Sequence, residues 1–286
     1  MMMVDRSVRA TCQNYAVLGR RLQCGFVVTA FVFANGRFYT RIAAVLQKAG
    51  LSPSKDEFKS SARMDRNPAM QAARDGLLRL AGSETHVAMF VGPHERGSLG
   101  KHSLQALQSI LVRNGIRPSG LNVYFDEDIF PSAREATRLR SLFHFLAPAR
   151  IFPKEDSRRR LGIQVADAVA HSWGQIVKEA VTGKVKMIDV GGRDTGYAKG
   201  ERAALGWKLL MTLRYALLTR PMIQNGGAYV AATDPVVLDP VNDDPVDYGQ
   251  HPILLGWGVQ VAPESSDDLR RAVEGALGRL WLGCIH

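Results

Sequence analysis

Cysteine is scarce in this chain: three in 286 residues, at positions 12, 24 and 284. They give neither an even-numbered framework nor a CxxC pair, which argues against a disulfide scaffold and makes a reducing, cytoplasmic setting the natural expectation. Cys284 and His286 alone are too few for a metal site. Long hydrophobic runs are missing as well. The longest, Phe26 to Ala34, is far short of the roughly 20 residues a membrane-spanning helix needs. Arg20-Arg21 precede it, as they would a signal-peptide core. Its β-forming residues and the Asn35-Gly36 turn that follows instead predict a strand. Negative charge is in deficit: 27 acidic against 37 basic side chains, a net charge of +10 and a pI near 9.8. That imbalance favours a polyanionic partner such as nucleic acid; no membrane is expected, the apolar runs being too short to span one. There is no internal repeat, and oligomeric state is left open, a homo-oligomer being compatible with the sequence.

What is present is an alternation of strand and helix signals. A short apolar opening, Met1 to Val4, precedes Asp5, and the strand at 26–33 comes next. Helical periodicity covers Phe38 to Lys48, Pro68 to Leu80, Ser103 to Arg113 and Ser132 to Phe145. Strands are predicted at His86–Val91, Leu121–Asp126 and Arg150–Phe152, and a buried helix from about 162 to 181. Such alternation argues for an α/β layer structure over residues 1–182. From Gly183 the composition changes, and residues 183–286 read as a C-terminal α/β extension. It is expected to hold a long helix at Lys199–Leu218, a strand at Leu254–Val261 and a helix at Ser266–Trp281.

Two apparent motifs dissolve on inspection. Gly92 to Ser103 resembles a phosphate-binding P-loop at Gly100-Lys101, but Glu95 and His102 stand where that motif needs glycine and Ser or Thr. The acidic run Asp234, Asp239, Asp243, Asp244, Asp247 with His251 lacks the alternating ligand spacing and distal glutamate of a calcium loop.

The acids of the first half differ, because each sits at an element end. Asp5 follows the expected first strand, Glu57 lies beside Lys59 after the first helix, Asp126 ends a strand and Asp167 opens the buried helix. Asp167 lies among small apolar side chains, where a carboxylate must be paired or hold something positive. Hydrolysis of a phosphodiester by two divalent ions needs three or four such carboxylates, and Mg²⁺ (or Mn²⁺) prefers oxygen ligands. Taken singly, Asp5 is better read as a cap, an ion-pair partner or plain surface, Glu57 and Asp126 are read equally well either way, and the apolar surroundings of Asp167 favour function.

Ser157 and the run Gly162-Ile163-Gln164-Val165-Ala166-Asp167 resemble the "dSk…giQlADlia" signature of the domain of unknown function 3800 family. Glu57-Phe58-Lys59-Ser60 is similar to its "ElKgs" element, Asp126 to its strand aspartate, and Val4-Asp5-Arg6-Ser7 to a degraded form of its opening "iDESG". The resemblance covers roughly residues 1–182. It implies an RNase H-like mixed sheet flanked by helices and a metal-dependent nuclease associated with mobile elements and defence. Asp5, Glu57, Asp126 and Asp167 would hold two Mg²⁺ ions. Lys59 and Gln164 would lie beside the substrate, and Arg158, Arg159 and Arg160 would contact the nucleic-acid backbone. Arg6 replaces the family's glutamate and no glycine follows Ser7. A catalytically degenerate module that binds nucleic acid or protein is therefore the rival reading, and a hydrolase acting on free nucleotides a third.

Overall fold

The apolar run at 26–34 lies in the middle of the main sheet. In the computed structural model, which describes residues 6–15, 26–34, 37–93, 98–114, 116–192, 197–218, 223–225, 228–230, 253–254 and 258–282, it forms β2 (Phe26–Ala34). Every one of its nine residues is buried. A strand covered on both faces has no solvent side, which is why its sequence runs apolar without alternation.

The elements follow one another as β1 (Arg6–Tyr15), β2, α1 (Phe38–Lys48), α2 (Pro68–Glu84), β3 (His86–Pro93), α3 (Leu99–Arg113), β4 (Leu121–Asp126), α4 (Ala133–Arg140), β5 (Arg150–Glu155) and α5 (Leu161–Thr182). The remainder holds β6 (Met187–Asp189), β7 (Arg202–Ala204), α6 (Leu205–Leu213), β8 (Ile223–Asn225), β9 (Ala228–Val230), β10 (Ile253–Leu254), β11 (Val259–Val261) and α7 (Asp267–Leu282). Seven strands make one mixed sheet in the order β10-β11-β3-β2-β1-β4-β5. β1, β2 and β3 form an antiparallel meander, whereas β4 runs parallel to β1 and β5 parallel to β4.

Helices cover both faces. On one, Ile42 and Leu46 of α1, Leu77 of α2 and Val165, Val169 and Trp173 of α5 pack against Val28, Ala30 and Val32 of β2. On the other, Leu107 and Ile110 of α3 and Leu139 of α4 meet Phe31, Phe33, Val123 and Phe125. The central helix is α5, with 15 of its 22 residues buried, as expected of a helix apolar on most of its circumference. It stops at Gly183, whose φ of 65° lies in the left-handed region that favours glycine.

The segment after Gly183 is built into this frame. β11 pairs in parallel with β3, β10 extends the same edge, and α6 and α7 pack on α5. At Gly206 a Cβ would come within 2.7 Å of Glu179 Oε2 on α5, so a larger residue there would have to displace the Glu179 carboxylate. Among the described residues no helix is long and apolar enough to cross a membrane.

Several elements depart from their predicted bounds. The strand that pairs with β2 is Arg6–Tyr15, an element the sequence pattern did not predict, and Asp5 lies outside the described residues. α3 starts at Leu99, four residues before the predicted position. Gly100 therefore belongs to the helix's first turn, where a Cβ would meet the Phe130 ring at 2.5 Å. The glycine next to Lys101 thus serves packing rather than a phosphate loop. α4 ends at Arg140, where turns and a short 3₁₀ segment follow. The predicted helix at 199–218 is split: Arg202–Ala204 is strand, paired with β6, and only Leu205–Leu213 is α-helical. The acidic run 234–247 with His251, as well as Cys284 and His286, lies outside the described residues.

Candidate active site at the ends of β4 and α5

The four residues Glu57 to Ser60 alternate. Phe58 and Ser60 are buried, whereas Glu57 is half-buried and Lys59 exposed. Phe58, 1 % exposed, anchors this segment in the core beside α5. Its backbone N–H donates to Gln164 Oε1 at 3.0 Å, and Gln164 Nε2 donates to the carbonyl of Ser157 at 3.0 Å. Gln164 is itself fully buried. One side chain on the first turn of α5 therefore holds two loops, one from after α1 and one from after β5.

This arrangement holds two carboxylates, Glu57 and Asp167, and Asp126 is close enough to act on Asp167 and Lys59 electrostatically. Ser60 donates to both oxygens of Asp167, its N–H to Oδ2 and its hydroxyl to Oδ1, each at 2.8 Å. The Ser157 hydroxyl donates to Glu57 Oε1, which also receives Lys59 Nζ at 2.8 Å. Asp126 stands at the end of β4, on the strand face that alternation predicted, with Asn122 and Tyr124. Its Oδ1 accepts from the N–H of Glu127 at 2.9 Å. The turn that follows is pinned by Lys154, which donates to the carbonyls of Glu127 and Phe130 at 2.7 and 3.2 Å. Lys154 sits at φ 60°, the one non-glycine residue in the left-handed region among those described. It adjoins a register shift between β4 and β5.

The electrostatics show that these groups feel one another. Partial burial works against the Lys59 charge. The hydrogen bond to Glu57 and the fields of Glu57, Asp126 and Asp167 outweigh that, so the Lys59 pKa is raised. For Asp167, burial raises the carboxyl pKa, the two Ser60 hydrogen bonds oppose it, Asp126 adds to the rise and Lys59 works against it; the net direction is upward. A carboxylate whose ionised form is opposed by burial and by a second acid gains from any cation that reaches it. Lys59 is half-exposed, and an ion pair of that kind holds its partners by about 0–1 kcal/mol. Its ammonium is free to leave Glu57 for another anion.

Of the residues proposed from sequence, Glu57, Lys59, Asp126, Gln164 and Asp167 meet here. Asp5 lies outside the described residues. Its neighbour Arg6 pairs with Leu121, at the start of β4, while Ala10 pairs with Phe125. Arg6 is therefore about 13 Å along the strand from the end where Asp126 stands. Beyond Ala10 the chain reads Thr11-Cys12-Gln13-Asn14-Tyr15, with no carboxylate.

The three arginines point their charge elsewhere in part. Arg158 pairs with Asp156 at 3.0 Å. Arg160 pairs with Glu155 at 2.9 Å and lies over the Tyr124 ring, 4.7 Å from its centroid. Tyr124 in turn stacks on Phe152 at 4.8 Å. All three arginines are exposed. Ser60 is the contributor that sequence reasoning overlooked; its place directly after Glu57-Phe58-Lys59 was the available signal.

In comparisons with known proteins, no family model matches the chain and no curated protein gives a significant match.

Proposed function

We propose that this protein is a phosphodiester hydrolase acting on nucleic acid, with its site at Glu57, Lys59, Asp126 and Asp167 and with Mg²⁺ or Mn²⁺ as cofactor. The observation that carries this reading is that one exposed lysine, Lys59, feels three carboxylates: Glu57 from a loop, Asp126 from a strand end and Asp167 from the second turn of α5. The sheet supports it: an antiparallel β1–β3 meander with β4 and β5 parallel to β1 is the strand order an RNase H-like core requires. In such sheets functional side chains gather at strand ends.

The donor chemistry fits a hard cation, since every candidate ligand is a carboxylate oxygen. Two ions are not assigned. Among the described residues no three acidic, histidine or cysteine side chains are grouped so as to hold a metal. Mg²⁺ is commonly held by one or two carboxylates, with water and substrate phosphate completing the shell. Asp126 and Asp167 suit that role, with no part assigned to Asp5. When bound, such an ion supplies Lewis-acid polarisation of the phosphoryl group and a more acidic water. Lys59 offsets phosphate charge from the solvent side, and Glu57 is placed to accept a proton once Lys59 has turned to the phosphate. Gln164 acts on substrate only through the loops it holds. Arg158, Arg159 and Arg160 contact the backbone, because exposed ion pairs such as Arg158–Asp156 give way to phosphate at little cost.

A second reading, a binding module without catalysis, is favoured by the carboxylate-free end of β1 and by the Lys59–Glu57 pair. Cleavage of single- and double-stranded DNA and RNA with Mg²⁺ or Mn²⁺ separates the two. Hydrolysis by wild type that disappears in Asp167→Asn supports the enzyme. Salt-sensitive binding without hydrolysis on any substrate supports the module, and equal activity in both proteins places the chemistry elsewhere.

A further inference from the structure

Although α5 is buried over most of its surface, Asp167, His171 and Gln175 remain partly open. They recur every four residues and so follow one face of the helix. His171 lies about 6 Å along the axis from Asp167 and Gln175 about 12 Å. At the His171–Gln175 level the stripe borders a cavity of about 370 Å³ between α2, α5 and α6, a volume in the range of small-ligand sites.

The walls of this cavity differ in character. Met64, Leu205 and Leu209 supply an apolar side, while Arg74 and Lys186 bring two positive charges. Arg74 Nε is buried and has no hydrogen-bond partner among the described residues. Asp75 Oδ1 forms an ion pair with it at 3.5 Å, longer than a good hydrogen bond. A buried donor held only by so long a contact gains from a ligand that brings an acceptor closer. His171 does not add charge at neutral pH. Burial, then Arg74 and Lys178, push its pKa down to about 4, so it faces the cavity as a neutral donor or acceptor. The nearby acid Glu179 is already engaged, accepting from Gln175 Nε2 and from the N–H of Gly206 at 3.1 Å each.

We propose that this cavity is a nucleotide subsite, with the phosphate on Arg74 and Lys186 and the base or sugar against Met64, Leu205 and Leu209. An anion is favoured by the two cations and by the Arg74 donor, which only the long Asp75 contact reaches. An amphipathic body is called for by the apolar wall, which bare phosphate would leave empty. That the anion is a nucleotide rests on the reading of the Asp167 site, one helical turn away on the same face of α5. The ligand is either a free nucleotide or the end of a strand whose next phosphate lies at Asp167.

Binding is measured by titration calorimetry on full-length Asp167→Asn without divalent cation, so that neither cleavage nor its absence enters the result. The probes are a nucleoside monophosphate, the matching nucleoside, inorganic phosphate and a terminally phosphorylated trinucleotide. The expected pattern is binding of the monophosphate or the trinucleotide at least ten-fold tighter than nucleoside or phosphate alone. That preference falls at least ten-fold in Arg74→Gln and in Lys186→Gln, the latter an exposed position that leaves the core intact. A trinucleotide favoured over the monophosphate assigns a strand end, and the reverse a free nucleotide. Equal binding of nucleoside and monophosphate, equal binding of inorganic phosphate, or affinity unchanged in both variants overturns the proposal. Cleavage by wild type can succeed or fail independently of every one of these results.

Discussion

Replacing Gln164 by leucine should cost more than any exposed substitution in the site. Gln164 is fully buried and joins the Phe58 N–H to the Ser157 carbonyl, both at 3.0 Å. Leucine keeps most of the volume and removes both bonds, leaving one donor and one acceptor without partners in the interior. Each such orphan costs about 1–3 kcal/mol, and the more apolar side chain recovers about 1–2 kcal/mol of burial. The two orphans together outweigh that gain by about 2–3 kcal/mol at mid-range, which at roughly 2 °C per kcal/mol for a chain this long lowers Tm by about 5 °C. The effect is not only one of stability. The Glu57–Ser60 segment is tied to α5 by this side chain and by Ser60–Asp167, so its loss leaves Asp167 with a less ordered donor. Measured well below the variant's Tm, cation-dependent hydrolysis should fall by about ten-fold or more. Thermal unfolding followed by circular dichroism, together with cleavage at 20 °C, reads both effects. A Tm within about 1 °C of wild type, with hydrolysis unchanged, would refute the idea that Gln164 assembles the site.

Four further outcomes follow from the same contacts. Asp167→Asn should fold and unfold at or above the wild-type temperature at pH 7. The amide can still accept from the Ser60 N–H and donate to its hydroxyl, and the burial that raises the Asp167 pKa no longer acts on a charge; a Tm several degrees lower contradicts this. His171 gives a pH signature. Its pKa is about 4 folded against about 6.5 unfolded, so below pH 6.5 the unfolded chain takes up the proton first. Stability is therefore full above 6.5 and is lost as pH falls towards 4, by about 3 kcal/mol. Urea unfolding at several pH values should show that slope in wild type and not in His171→Gln. Gly206→Ala should destabilise by about 1–3 kcal/mol through overpacking against Glu179, read as a lower urea midpoint. Lys59→Met should weaken nucleic-acid binding and flatten its salt dependence, read by fluorescence anisotropy at two ionic strengths.

Where a segment's environment was uniform, the sequence was easy to read. β2 is buried on both faces and α5 on most of its circumference, so their apolar patterns stand out, and α1 and β4 match their predicted bounds. β1 went unrecognised because Arg6, Arg9 and Gln13 break up its composition. Its period-two signal, Val8, Ala10 and Cys12 between polar residues, is nevertheless present. Leu99–His102 falls outside the predicted helix because glycine usually interrupts helices, whereas here Gly100 makes room for Phe130. Within the site, acids at element ends were visible from the pattern. The way Ser60, Gln164 and Ser157 clasp them was not, because it depends on contacts more than a hundred residues apart along the chain.

The central claim, that Asp126 and Asp167 form a divalent-cation site, is tested most directly by Mn²⁺ binding followed by electron paramagnetic resonance on the full-length protein. One Mn²⁺ per chain, displaced by Mg²⁺ and lost in both Asp126→Asn and Asp167→Asn while their folds persist, is the predicted result. No bound Mn²⁺ in wild type, or binding unaffected by either substitution, contradicts it.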